Sequence, residues 1–373
     1  MVYFNIIFSI ILVFWNIIKK NTKIGFYVLL IWMWILFSFN TNSADYDMYK
    51  GYYELGRAYS SHYEGIEILY KVSNNIGAFL NLTFQQFKMV YSAIALTLLA
   101  ISIKRLTSNF SFALGCYFIF PFLLDVVQIR HFMASIIILF AITVLKDNDK
   151  KSYVKYYVLN FIAIGFHNIS MFFLILPLLK YISIKKLSIS VVLINVFEIL
   201  LIIFGGLELI ASNFLSEQKY QAYFLSGRWQ NNFSVMIMYA IIQFICTVLF
   251  LIVAKRYWNN IRKYDESIND KFSEITSYRY ELILKLNIFS MIVFPFYYYL
   301  MELTRIFRVI LPMNWCIAAN SLSVKSTYNN LYLKLFTIFV IFILFIFLIL
   351  NMGIFEKTVI SIMRYNSFTQ LLF

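Results

Sequence analysis

Residues 26–53, FYVLLIWMWILFSFNTNSADYDMYKGYY, hold an apolar run that stops at Asn40 and gives way to two acids, Asp45 and Asp47, set among tyrosines. A run this poor in charge reads as a membrane span, and the polar stretch behind it as the chain leaving the bilayer. The rest of the sequence is written the same way. Its 373 residues are 61% hydrophobic and only 13% charged, with a mean hydropathy of +0.75, whereas a soluble domain carries roughly a quarter charged residues. That excludes a soluble fold and predicts an all-α polytopic membrane bundle, because in lipid each backbone polar group must be satisfied inside its own segment.

Hydropathy predicts about twelve spans, near 3–18, 24–39, 88–103, 109–124, 131–145, 153–166, 169–183, 187–207, 233–254, 281–299, 306–322 and 332–350. Residues 1–373 are read as a single integral membrane domain, with polar segments near 40–87 and 208–232 on one side and a charged connection near 255–280 on the other. The N-terminus has no basic stretch before its apolar run and no small-residue cleavage site, so it reads as a first span and not a signal peptide. Several spans are short, which predicts tilt or a protein-lined cavity. Cys116, Cys246 and Cys316 lie in or beside apolar runs without paired spacing, so they are expected to be packing residues.

The connections at 19–23, 104–105, 146–155, 180–186, 255–285 and 325–334 carry about two thirds of the 32 Lys and Arg and alternate with connections poor in base. The first set is predicted cytoplasmic, which puts both termini outside. The net charge of +14 is then a topology signal, and because the bases are spread over short loops it gives no nucleic-acid patch. All three histidines, His62, His131 and His167, fall on the outer side, with Asp45, Asp47, Asp125, Arg130, Arg228, Glu302, Arg305 and Arg308. Polar groups at membrane ends are costly unless they line a wet cavity, so the pattern predicts one extracytoplasmic chamber.

If SADYDMYKGYY is helical, Asp45, Tyr49 and Tyr53 share a face. Carboxylates beside aromatic faces suit sugar binding; equally, an aspartate there caps an interfacial helix whose tyrosines sit at the headgroups. A lone D-x-D pair is a weak cation signal, and no metal site or cofactor is expected. In DVVQIRHFMA, the Arg130 guanidinium suits a diphosphate, with Gln128 adding a hydrogen bond; snorkelling is the other reading. His167 in GFHNIS is a candidate base or neutral hydrogen-bonding group. In YYYLMELTRIFR, Glu302, Arg305 and Arg308 stack along one helix face, an expensive arrangement without a partner. Arg228 and Trp229 in LSGRWQNN offer an unspecific anion or sugar contact. Glu198, deep in a span beside Asn195, is expected to be satisfied by an interhelical hydrogen bond.

The order of DYDMYKGYY, QIRHFMA, FHNIS and LTRIFRV along most of the chain resembles the EpsG-like, Wzy-type family of bacterial polysaccharide polymerases, which serve O-antigen, capsule and exopolysaccharide synthesis. The chain departs from the family pattern in the spacing of His167 and Ser170. The resemblance implies a GT-C-like helical bundle in the bacterial cytoplasmic membrane that joins undecaprenyl-diphosphate-linked oligosaccharide units on the outer face, with a chain-length regulator and a flippase as companions. It implies functional positions at Asp45, Tyr49, Arg130 and His167, and also at Arg305 and Arg308. On that basis Arg130, Arg305 and Arg308 are expected on the diphosphate and Asp45 or His167 at the acceptor hydroxyl. Glu302 would act beside them or orient the arginines, and Tyr49, Tyr53 and Trp229 would line the sugar path. A ligase using the same carrier and a flippase of lipid-linked sugars are the alternatives, the latter predicting internal repeats and midplane charges.

Overall fold

The computed structural model describes residues 2–19, 21–58, 66–214, 217–221, 233–264, 271–322, 327–345 and 355–372. The first half of the chain contains α1 (Val2–Ile18), α2 (Lys23–Ser38), α3 (Tyr46–Ala58), α4 (Ile68–Phe79), α5 (Phe84–Leu106), α6 (Phe110–Tyr117), α7 (Leu123–Val127), α8 (Ile129–Val144) and α9 (Lys150–Phe166). A 3-10 helix, Asn168–Tyr181, leads into α10 (Ile184–Ile203), α11 (Gly206–Phe214), α12 (Glu217–Tyr220), α13 (Phe233–Tyr264) and α14 (Lys271–Phe289). Short 3-10 turns then reach α15 (Thr304–Ser321), which is followed by α16 (Thr327–Phe345), α17 (Ser361–Arg364) and α18 (Ser367–Leu372). Among the described residues the one strand-like contact is an isolated bridge between Asn40 and Asn366.

Among the described residues four stretches are long and apolar enough to cross a membrane, Phe84–Leu106, Phe110–Val127, Ile184–Ile203 and Met236–Lys255, and there are shorter apolar helices besides. Burial sorts them into layers. The Phe110–Val127 stretch is 89% buried and α10 only 11%, so α6–α7 is core and α10 presents apolar side chains outward, as a lipid-facing helix does. α8 and α15 are buried along almost their whole length. Polar side chains join the helices where hydrophobic burial gives no registration in lipid: Asn287 and Asn314 exchange two amide hydrogen bonds of 2.8 Å, and Trp32 Nε1 donates to Ser9 Oγ at 2.8 Å.

Several expectations change. The segment 40–87 is largely helical: Thr83 and Gln86 form a reciprocal cap that starts α5, and α3 and α4 pack before it. The span expected at 109–124 bends at Pro121 and runs on to Val127, with Phe120 non-helical (φ −157°, ψ 125°). The Phe120 carbonyl freed there accepts from Trp315 Nε1 at 3.0 Å. Asp125 is therefore not a loop residue; it is buried, and Tyr117 donates to its Oδ2 at 2.6 Å. The short span after His167 is 14 residues of 3-10 helix, which at about 2.0 Å per residue rises roughly 28 Å, against about 21 Å if it were α. Among the described residues Glu198 and Asn195 make no interhelical bond: Asn195 Nδ2 donates to Val191 O within α10 at 2.9 Å, and Glu198 Oε2 is buried without a partner. All three cysteines are buried thiols, as their apolar settings predicted.

The C-terminal residues fold back over the end of α2. Thr41 N donates to Tyr365 O at 2.8 Å and Ser367 N to Phe39 O at 2.9 Å, while Asn366 Nδ2 reaches Ile35 O at 3.1 Å. They close the bundle at the end from which Asp45 emerges.

Candidate functional site

Three helix N-termini meet at that end. α8 begins at Ile129, the 3-10 helix at Asn168 and α15 at Thr304. Each points the positive end of its dipole there, and each carries a cation or imidazole in or next to its first turns: Arg130, His167, and the pair Arg305 and Arg308. Side-chain contacts tie the three together. Arg305 Nη1 lies 3.2 Å from His167 Nε2, and Arg308 Nη2 donates to Gln128 Oε1 at 2.6 Å. Arg130 forms a tight ion pair with Glu67, whose other oxygen accepts from Asn168 N at 3.4 Å. The His131 ring stands edge-on to His167 with centroids 5.4 Å apart.

This cluster is short of acceptors. Arg130 Nε, Arg308 Nη1 and both ring nitrogens of His131 are buried without a hydrogen-bond partner. Leaving such a donor unmade costs about 1–3 kcal/mol, so the arrangement is understandable where a ligand completes it. Glu302 does little to relieve it, since its Oε1 is 3.8 Å from Arg305 Nη2 and its side chain is 42% exposed. Helix N-termini and unpaired guanidinium donors are chemistry suited to an anion, and the guanidinium fork matches the oxygens of a phosphate.

His167 is held neutral, with its pKa pushed down to about 3 by burial first and then by the charges of Arg305, Arg130 and Arg308. Ile169 N–H also reaches its Nδ1 at 3.2 Å. A neutral imidazole has one acceptor nitrogen, so only one of its two contacts, with Ile169 or with Arg305, is a hydrogen bond at a time. Asp45 sits differently. Among the described residues its half-buried carboxyl makes no hydrogen bond or ion pair, and burial raises its pKa above the ordinary carboxylate value although Arg305 and Arg130 pull the other way. It is the acid of the cluster with free lone pairs.

The tyrosines of the Asp45 segment fall on one face of α3, but that face turns inward. Tyr49 is 4% exposed and lies under Arg130, whose guanidinium carbon is 5.8 Å from the ring centroid; burial raises its pKa, against the pull of Arg130. It therefore supports the cation from below and is not an open stacking platform. Tyr53 departs further from the sugar-path expectation. It is 1% exposed, its hydroxyl donates to Leu82 O at 2.8 Å, and its ring packs on Phe87. A Cβ on Gly77 would come within 2.9 Å of the Tyr53 hydroxyl and of Phe87, so α4 approaches α3 closely enough to seal that side.

The structure brings Asp45, Tyr49, Gln128, Arg130, His167, Glu302, Arg305 and Arg308 to one place, while Arg228, Trp229 and His62 lie outside the described residues. Gln128 binds an arginine instead of standing free. Sequence reasoning missed Glu67, which directly precedes α4 and so resembles a helix cap; it makes no side-chain cap bond and turns to Arg130. Asp125, His131 and Tyr117 were also given no role. Among the described residues no three His, Cys, Asp or Glu side chains gather as a metal-ligand set. No curated protein and no solved structure matches the chain. The EpsG family model, by contrast, matches residues 23–367, nearly the whole length with the entire cluster inside it, and the chain belongs to the EpsG family.

Proposed function

We propose that the protein is a membrane glycosyltransferase that polymerises oligosaccharide repeat units carried on undecaprenyl diphosphate, working at the outer face of a bacterial cytoplasmic membrane. EpsG membership carries a polysaccharide-polymerase type of role and a lipid-linked oligosaccharide substrate. The observation that supports the finer reading is the cluster itself: three arginines on two helix N-termini that converge with a third carrying His167, with Arg130 Nε and Arg308 Nη1 buried and unpartnered. The chain crosses the membrane about twelve times, with the arginine end outside, in keeping with the bias of Lys and Arg toward the opposite connections.

In this reading Arg130, Arg305 and Arg308 hold the diphosphate of the donor. The hydroxyl at the non-reducing end of the next unit attacks the donor's anomeric carbon, a new glycosidic C–O bond forms, and the bond to the diphosphate breaks as undecaprenyl diphosphate leaves. The hydroxyl proton passes to Asp45, whose carboxylate has no competing partner. His167, neutral and with a pKa near 3, orients the site through Arg305 and does not act as the base. The arginines stabilise charge where it develops, on the leaving diphosphate.

The test is purified protein, in a bilayer disc, supplied with defined undecaprenyl-diphosphate repeat units. A ladder of products separated by one repeat unit supports a polymerase. Transfer of the glycan to a different acceptor without growth makes it a ligase, and movement of intact substrate across a vesicle without growth makes it a flippase; either result overturns the proposal.

A further inference from the structure

α13 and α16 enclose an apolar groove of about 400 Å³, a volume typical of sites that take a small ligand or part of a larger one. Ile237, Ile241, Ile245 and Leu249 form a helical stripe along one wall, and Val340 and Ile343 face them. Ile241 and Ile245 keep 51% and 43% of their surface exposed, so the groove opens sideways from the bundle.

Its direction follows from two contacts. Tyr239 of α13 lies within electrostatic reach of Arg308, and further along both helices the rings of Phe250 and Trp315 are 5.3 Å apart. α13 and α15 therefore run parallel, and the first turns of α13 stand at the arginine end. Tyr239, Ile242 and Cys246 follow one another on a single helix face, so the surface that begins beside Arg308 continues into the groove. From residue 237 to 249 that wall descends about 18 Å.

We propose that the groove seats the head-proximal isoprene units of the polyprenyl carrier whose diphosphate binds Arg308. This rests on the functional reading above and adds where the lipid lies. Arg308, whose Nη1 is buried without a hydrogen-bond partner, lies within electrostatic reach of Tyr239, about one helical turn before Ile242 of the groove wall. The channel below it is apolar and open to the side from which a lipid would enter. An occupant needs an anionic head joined to a long hydrocarbon, and a polyprenyl diphosphate has both. An ordinary phospholipid shares that chemistry, and the experiment separates the two.

The probe is a sugar-free undecaprenyl diphosphate carrying a diazirine near the head of its tail, added to the full chain in bilayer discs. Labelling is expected on α13 between residues 237 and 249, displaced by undecaprenyl diphosphate but not by the same amount of phosphatidylglycerol. Ile241→Trp and Ile245→Trp should each cut labelling about tenfold and raise KM for the full-length lipid substrate, while a substrate whose diphosphate carries a methyl group in place of the isoprene chain is used as before. Val196→Trp on outward-facing α10 is the control. Labelling that phosphatidylglycerol displaces equally, or that spreads to α10, means ordinary bilayer lipid only and overturns the proposal. The wild-type competition decides the matter even if the tryptophan variants fail to fold. Because the probe carries no sugar, labelled groove without a product ladder sinks the polymerase reading and leaves the groove standing; a ladder without labelling does the reverse.

Discussion

The two ends of the α8, α9 and 3-10 helix assembly treat charge in opposite ways. At the end where α8 finishes, Lys180 Nζ donates to Asp147 Oδ1 and Asn148 Oδ1, both at 2.8 Å, and to Tyr153 at 3.2 Å. Lys285 lies 2.7 Å from Glu281, and Arg279 Nε donates to Leu145 O at 2.9 Å. At the end where α8 starts, Arg308 is equally hemmed in, yet Nη1 is unpartnered, as is Arg130 Nε. The same helices supply both environments, so the chain can give its cations acceptors and does so for Lys180, Lys285 and Arg279 at one end. The proposed anion site rests on the donors left without acceptors at the other end, which a bare count of buried charge would not reveal.

Removing one of those donors should give the largest effect. Arg308→Ala is expected to lower kcat/KM for repeat-unit polymerisation about 1,000-fold, the upper range for losing one transition-state donor, with normal protein in the membrane. Arg308→Lys keeps the charge but loses the fork, and should recover only part of that loss. Arg130→Ala should likewise abolish long-chain polymer. Wild-type chain lengths in the Arg308→Ala strain would erase the distinction between the two ends.

The next effect concerns the free carboxylate. Asp45→Asn should reduce turnover about 100-fold, the scale of a lost general base. A base works deprotonated, and burial raises the Asp45 pKa, so wild-type activity should fall as pH drops through a value above the ordinary ~3.9 of aspartate. His167 is already neutral far above its depressed pKa of about 3 and should add no limb near ~6.5. An acid limb near that value which persists in Asp45→Asn and vanishes in His167→Gln would transfer the base role to the histidine.

Much of this end was legible because polar residues stand out in an apolar chain. Arg130, His167, Arg305 and Arg308 each begin or adjoin an apolar run, and a guanidinium is conspicuous there. The layers of the fold were not legible: α10 and the α6–α7 stretch are both apolar, yet one is 11% and the other 89% buried, a difference set by neighbours and not by composition. Tyr53 shows the same limit, since helical spacing says which residues share a face but not whether α4 and α5 cover it. Glu67 was hidden for another reason. Its partner Arg130 lies 63 residues away, and nothing local separates an acid that caps a helix from one that leaves its cap to hold a cation.

Through Glu67 the arginine end resembles the opposite end, and its removal should have an intermediate effect. Glu67→Gln leaves Arg130 with a neutral partner, and the pair is only partly covered, with side chains 18% and 10% exposed. The stability loss should fall between the ~0.5 kcal/mol of an exposed pair and the ~3 kcal/mol of a fully buried one. It should appear as a lower thermal midpoint together with a higher KM, because Arg130 loses the contact that aims it. An unchanged KM would mean that Tyr49 alone fixes the guanidinium.

The smallest effect belongs to the satisfied end. Asp147 is 52% exposed where it meets Lys180, so water already competes for the pair and the net gain is about 0.5 kcal/mol. Lys180 also keeps Asn148 and Tyr153 when the carboxylate goes. Asp147→Asn should therefore shift the thermal midpoint slightly and leave both KM and turnover at wild-type values. If it instead lowered polymerisation as strongly as Arg308→Ala, charge at either end would matter only for holding the bundle together, and the unpartnered donors would no longer point to a ligand.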